Sequence, residues 1–338
     1  MIKQKAKQLL KERPDPNYRH GLSIYLNPGI DFDNLSFDFD KVEIDSGKDV
    51  VKIVKVEDKS LEEYFMRLVN FDEDKFTALH AVNLDEVVFV QIPKGVVKSV
   101  DLRFSGSFNH FILLAGEDSK CTISVKLEGK GYKSFIAEVF ALKDSEVNFV
   151  SQQSSEGVNL IVKRSSQKSG CKVNWVDVFR KGEFVRSGNR SFLDGENAEV
   201  NCISLFSASK SSKWEINNEA IHNARSTKSN LLTKGITKDF SKVLAKGLVK
   251  ISKGAENSEG YQKTESLILG GEAYAIPNLE IDNDNVKCSH GSSISYIDDK
   301  KLFYLMSRGL TEEEAVDQIV KGFFDSAVDK IPVKIELV

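Results

Sequence analysis

The chain of 338 residues has only four cysteines (Cys121, Cys171, Cys202 and Cys288), and no two form a C-x-x-C pair. That spacing argues against a disulfide framework and against a closed structural zinc site, which needs ligand pairs. The default for each thiol is a buried, inert side chain. With six prolines and 22 glycines, no Pro-rich or low-complexity linker divides the chain. Neither sign of charge dominates: 47 Lys+Arg stand against 50 Asp+Glu, a formal net charge of −3. A general nucleic-acid binder would show a basic excess. No apolar run reaches the ~18–20 residues that span a bilayer, and no apolar stretch follows basic Met1–Lys7 as a secretory signal requires. The expectation is a soluble, cytoplasmic protein with no nucleic-acid or membrane partner. At 41% hydrophobic and 29% charged the composition is that of a folded chain. The length suits roughly two domains, or one large domain with appendages.

Catalytic signatures are missing too. There is no G-x-x-x-x-G-K-[ST], G-x-S-x-G or H-E-x-x-H. Asp282-Asn-Asp284-Asn resembles the start of an EF-hand loop, but Val286 occupies the next ligand position and no glycine follows where the loop must turn. The five histidines (His20, His80, His110, His222 and His290) are dispersed. Glu280, Asp282 and Asp284 can supply the paired carboxylates of a β-helical polysaccharide-cleaving enzyme. Acidic residues in an Asn/Asp-rich turn also serve as solvated or capping groups.

Residues 2–12 are strong helix formers, stopped by Pro14 and Pro16. Ser60-Leu-Glu-Glu63 reads as a capping box opening a helix through Leu68, and a second short helix is expected from Asp74 to Asn83. From about Glu86 to about Lys250 the chain becomes a series of short β-type runs recurring every dozen residues or so. Val87–Ile92, Thr122–Leu127, Val173–Val178 and Val200–Phe206 are examples. Several alternate apolar with polar residues, and turns such as Gly116–Ser119 and Asp194–Asn197 separate them. The lack of intervening helices excludes a βαβ layout and leaves a sandwich, a barrel or a solenoid, with no strict short repeat to decide. Beyond Pro277 the texture turns helical. Asp298–Ser307 and Thr311–Asp329 read as helices, the second opened by a capping box, Thr311-Glu-Glu-Glu314. Ala315, Ile319, Phe323 and Ala327, thickened by Val316, Val320 and Phe324, form a wide apolar stripe suited to self-packing or to a partner. These boundaries give an N-terminal mixed region (1–84), a β core (85–280) and a C-terminal helical region (281–338).

One segment is far more specific. From Ile276 to Gly291 the chain reads Ile-Pro-Asn-Leu-Glu-Ile-Asp-Asn-Asp-Asn-Val-Lys-Cys-Ser-His-Gly, followed by Leu302-Phe-Tyr-Leu-Met-Ser-Arg-Gly-Leu310 and by Glu312, Glu314 and Ala315. This resembles the SufB/SufD family of iron–sulfur cluster assembly proteins. Lys75–His80, Val90–Gly95, Ile221-His222, Ser229, Lys234-Gly235, Ala245–Gly247 and Tyr261-Gln262 extend the resemblance over roughly residues 60–330. SufB-type members carry a cysteine where this chain has Thr264, and a Glu-His-Glu pattern at Ser289-His290-Gly291, so the chain looks like SufD.

The resemblance implies a mainly β fold, a right-handed parallel β-helix flanked by N- and C-terminal helical segments that can cover its ends. It implies a non-catalytic scaffold that pairs with a SufB-like paralogue, or with a second copy of itself, and binds the SufC ABC-type ATPase through residues 298–329. His290 and Cys288 would be the cofactor- and metal-binding residues, offering imidazole and thiolate to a transient iron–sulfur cluster or iron at the subunit interface. In an extended strand both would point to one face. No group is expected to stay tightly bound to the isolated chain. The competing reading is a β-helical carbohydrate-active or carbohydrate-binding protein using Glu280, Asp282 and Asp284.

Overall fold

The computed structural model describes residues 2–14, 18–20, 24–27, 29–31, 35–38 and 42–331; Pro16 and the end of the C-terminal region lie outside them. The core is a parallel β-solenoid of about eight turns. Strands go alternately to two sheets, each nine-stranded among the described residues. The first sheet runs Val42–Ser46, Val97–Phe104, Lys120–Leu127, Glu146–Gln153, Lys172–Phe179, Glu199–Ala208, Lys228–Thr237, Glu259–Ile268 and Lys287–Tyr296. The second runs Val51–Lys55, Glu86–Ile92, Phe108–Ala115, Tyr132–Ala141, Val158–Gln167, Phe184–Leu193, Lys213–His222, Lys242–Ile251 and Glu272–Ile281. All neighbours pair in parallel except at one end, where Val42–Ser46 and Val51–Lys55 pair antiparallel with the first rung.

Stacking places equivalent residues in columns. Facing inward, Ile123, Phe149, Trp175, Cys202 and Leu231 follow one another in register, each buried in the space between the sheets. Facing outward, Asn148, Asn174, Asn201 and Asn230 form an amide ladder, each Nδ2 donating to the Oδ1 of the preceding rung at 2.8, 2.9 and 3.1 Å. The sequence separation of those bonds is 26, then 27, then 29 residues, and Lys234 meets Glu265 across 31. This drift is why no strict repeat is visible. One corner is a ladder of left-handed residues (Gly95, Asp118, Asp144, Gly170, Asn197, Ser226 and Asn257). Each amide there donates to a carbonyl of the next turn. Glycine has no Cβ to clash in that conformation, and Asp and Asn tolerate it best among the others.

Four helices flank the solenoid among the described residues: α1 (Ile2–Glu12), α2 (Lys75–Asn83), α3 (Asp299–Ser307) and α4 (Glu312–Val328). The caps form as their sequences require. Asp74 and Thr77 close a capping box on α2, and Thr311 and Glu314 close one on α4. Ser60 does not start a helix. Asp58 caps a single 3-10 turn, Lys59–Leu61, and the chain then bends through Met66 at φ 52. The bend presents the amides of Met66, Leu68 and Val69 to the buried Glu138 carboxylate at 2.6, 2.5 and 3.1 Å. Glu138 also meets His110 at 3.0 Å, and His110 meets His80 at 3.3 Å. A continued helix would spend those amides on its own carbonyls.

The far end differs from the expectation that helical segments cover it. The strands extend past residue 280, to Tyr296, and α3 and α4 do not cover the last rung. Instead α4 returns along the outer face of the first sheet, where Ala327, Phe324 and Ile331 pack on Ile203, Leu205 and Leu232. Lys234 lies 4.3 Å from the Phe323 ring centroid and donates to Ser326 at 2.9 Å. The last third of the predicted stripe is therefore spent on the chain's own sheet.

Two stability predictions follow from buried groups. Glu138→Ala strands three amides and should cost about 3 kcal/mol or more in urea unfolding, with faster hydrogen exchange at residues 66–69. His222 is buried, with its ring nitrogens 2.7 Å from Thr227 and 2.8 Å from Ser229, and burial holds it down from 6.5 to about 4. A depressed folded value gives stability that is complete above pH 6.5 and lost as pH falls through 4. His222→Gln should flatten that part of the pH–stability curve, which in the parent chain spans on the order of 3 kcal/mol.

Candidate functional site

The last two strands, Glu272–Ile281 and Lys287–Tyr296, hydrogen-bond to a neighbour on one side only. Interior burial stops with them. Gly260, Gln262, Thr264 and Ser266 are buried on Glu259–Ile268, whereas their register partners Cys288, His290, Ser292 and Ile294 are half-buried or exposed. The solenoid is open at this end.

Cys288 and His290 stand two residues apart on that terminal strand, so both project to the interior-facing side. Cys288 extends the column of Val200, Ser229 and Gly260 and packs against the core. Partial burial raises its thiol above the ordinary value, so at neutral pH it is protonated. His290 is exposed and pairs in register with Gln262. The pair sits on a strand, not in the helical region where the sequence boundaries put it.

The other three thiols are sealed inside. Cys121, Cys171 and Cys202 are buried, and desolvation pushes Cys121 and Cys202 up to about 12. Thr264 is buried one rung below Ser292. Glu280 is exposed and ion-paired with Lys250 at 3.0 Å. Glu280, Asp282 and Asp284 converge on no common point: among the described residues no group of three or more His, Cys, Asp or Glu can hold a metal. A tetrahedral cluster or iron site needs four ligands, and this end supplies one sulfur and one nitrogen.

Two neighbouring features went unread in the sequence. The first is a polar seam along the solenoid interior. Lys163 and Asp177, both fully buried, form an ion pair that Ser151 joins, and Lys163 lies 5.0 Å from the Trp175 ring centroid. Asn189 donates to Asp177 at 2.6 Å and to Asn218 at 3.1 Å, and Asn218 donates to Thr233 at 2.9 Å. Gln262 continues the seam, donating to the Asn278 carbonyl at 3.0 Å. The second is an outer groove of about 820 Å³, floored by Asn174, Asn201 and Asn230 and bordered by Lys330, which runs to Ser289 and Gly291. α3 exposes Phe303 (74%), Tyr304 (56%) and Met306 (41%), and the terminal strand exposes Tyr296 and Ile294. Among the described residues no helix is long and apolar enough to cross a membrane.

Residues 97–323 match the family model described as SUF system FeS cluster assembly, SufBD core domain. Among curated proteins, an iron–sulfur cluster assembly SufBD family protein of Staphylococcus epidermidis is 27% identical over 95% of this chain and 72% of its own length. One from Staphylococcus saprophyticus is 27% identical over 85% of this chain and 65% of its own length. A Staphylococcus aureus relative is 25% identical over 95% of this chain and 72% of its own length.

The burial pattern predicts selective thiol chemistry. In the native protein a maleimide should label Cys288 alone, and Cys121, Cys171 and Cys202 should react only after unfolding. Labelling of a second thiol under native conditions, read by peptide mass, would contradict the burial assignment.

Proposed function

The chain belongs to the SufBD family of iron–sulfur cluster assembly proteins, and on that premise we propose that it is a SufD-like scaffold subunit, with no catalysis of its own, that completes its site by pairing at the open end. One observation carries the reading. The terminal strand leaves Cys288 and His290 uncovered on a rung with, among the described residues, no rung stacked beyond it. A free strand edge with half-buried apolar side chains invites another strand. A second chain of the family, a SufB-like paralogue or another copy, would cover the edge and bring the missing ligands. The nascent cluster is then cargo held between two chains, and Thr264, standing where a SufB-type member has cysteine, supports the SufD-like role.

The exposed aromatic face of α3 is the proposed seat of a SufC-type ATPase. The last third of α4 packs on its own sheet, which shifts this docking surface toward Phe303, Tyr304 and Met306. ATP hydrolysis falls to that partner, since this chain has no Walker motif. Its nucleotide-driven motion would move the paired scaffold as rigid bodies and expose the site. The carbohydrate reading draws no support from Glu280, which is spent on Lys250.

Anaerobic co-expression with a SufB-like chain and a SufC-type ATPase tests the proposal. A stable complex carrying iron and acid-labile sulfide is expected. His290→Ala and Cys288→Ser should each lower bound iron at least about tenfold and leave the complex assembled, because neither residue is part of a closed core. A folded chain that binds neither partner would sink the scaffold reading. Full iron loading in both variants would remove these two residues from the site.

A further inference from the structure

The charges that reach the open end arrive in columns. On the outer face of the first sheet Lys172, Glu199, Lys228, Glu259 and Lys287 follow one another in register. Lys172 lies 4.0 Å from Glu199, and Lys287 lies 3.3 Å from Glu259. The sign alternates from rung to rung and ends on a cation. The second sheet ends on the opposite sign. Lys242 stands in register with Glu272 and Lys250 with Glu280, at 2.7 and 3.0 Å. Lys242 and Tyr274 hold the Glu272 carboxyl below its usual value. The two glutamate side chains remain 44% and 55% exposed, and among the described residues no further rung supplies them a second cation.

The pairing proposed above limits how another chain can meet these columns. To bring ligands to Cys288 and His290 it must lay its own last first-sheet strand against Lys287–Tyr296. Its last second-sheet strand then falls against Glu272–Ile281. A two-fold axis between identical copies makes both contacts antiparallel. The Glu272 amide donates back to the Ser241 carbonyl, so the alternate residues, from Ala273 on, turn their backbone groups to the free edge. With those groups facing each other and the outer face kept outward, the fullest register sets Glu272 opposite Glu280 of the other copy, and does so twice. Like charges directly opposed on neighbouring strands are destabilising.

The first sheet has no such conflict. Its fullest register sets Lys287 opposite Ser295 of the other copy, and Ser289, Gly291 and Ser293 are uncharged. The midpoints of the two registers, Ile276 and Gly291, lie almost equally far from the turn between the strands, so one axis serves both sheets. Crossing the sheets would let Lys287 meet Glu280, but it sets Pro277 beside His290 and supplies no ligand.

From the contrast between these two edges we propose that Glu272 and Glu280 select the partner. They repel a second copy of this chain and admit a paralogous chain that carries Lys or Arg on its last second-sheet strand. Discrimination of this kind works through the contact it makes unfavourable. It rests on the end-to-end pairing of the preceding subsection.

Sedimentation velocity of the full chain at low salt tests this, because screening weakens exposed charge pairs. The parent should sediment as a monomer. Glu280→Lys puts a lysine opposite Glu272 twice and should tighten self-association at least about tenfold. The double variant Glu272→Lys, Glu280→Lys opposes like charges again, so it should return to the monomer and bind a SufB-like chain at least about fivefold more weakly than the parent does. Both positions are open to solvent, and an unchanged thermal midpoint checks the fold. A parent that dimerises as tightly as Glu280→Lys, or a double variant that self-associates as tightly as the single one, would overturn the proposal. If the parent binds the SufB-like chain but Glu280→Lys gains no self-association, the selection fails and the pairing stands. If the parent pairs with neither chain, both fall.

Discussion

Each rung of this solenoid is incomplete by itself. Its backbone groups are satisfied by the rungs on either side, and its inward side chains are covered by the columns they continue. At one end two antiparallel strands, Val42–Ser46 and Val51–Lys55, meet that requirement. At the other, nothing among the described residues does. The interior column of Gly260, Gln262, Thr264 and Ser266 is buried, and one rung later the same column is open. The uncovered strand and the exposure of Cys288 and His290 are two aspects of one unmet stacking requirement.

What was legible in the sequence was local. The capping box at Thr311 formed as read and the short helix from Asp74 appeared where expected, because a cap depends on residues three apart. The spacing of Cys288 and His290 placed them on one face of a strand, because alternation is a property of the strand alone. The solenoid period was not legible. The rungs lengthen from 26 to 31 residues, and the corner that keeps them in step is marked by Gly, Asp, Asn and Ser in turn, which share a backbone conformation and no letter. The helix after Ser60 was misread for a related reason: the carboxylate that claims its amides is Glu138, some seventy residues away in the chain.

The interior seam shows where alternation misleads. In Val173–Phe179 the polar residues should face out, and Asn174 does. Asp177 faces in, beside Lys163, Ser151 and Asn189, and this becomes sensible only once the opposite sheet is known to supply a cation and amides. Exposure was equally hidden: nothing local distinguishes Lys287–Tyr296 from an inner strand, because its openness is a property of what does not follow it.

The covering of only one end also sets an order of construction. Strands Val42–Ser46 and Val51–Lys55 precede every rung in the sequence, and synthesis proceeds from the N-terminus. The closed end is therefore made first, and each later rung emerges onto a finished template. Contacts between successive rungs close loops of only about thirty residues, which keeps their entropic cost modest. The growing chain carries one open end, a free edge in each sheet, that moves outward with elongation. The strand Lys287–Tyr296 keeps that open face once folding ends, so the surface that propagates folding within one molecule is left exposed.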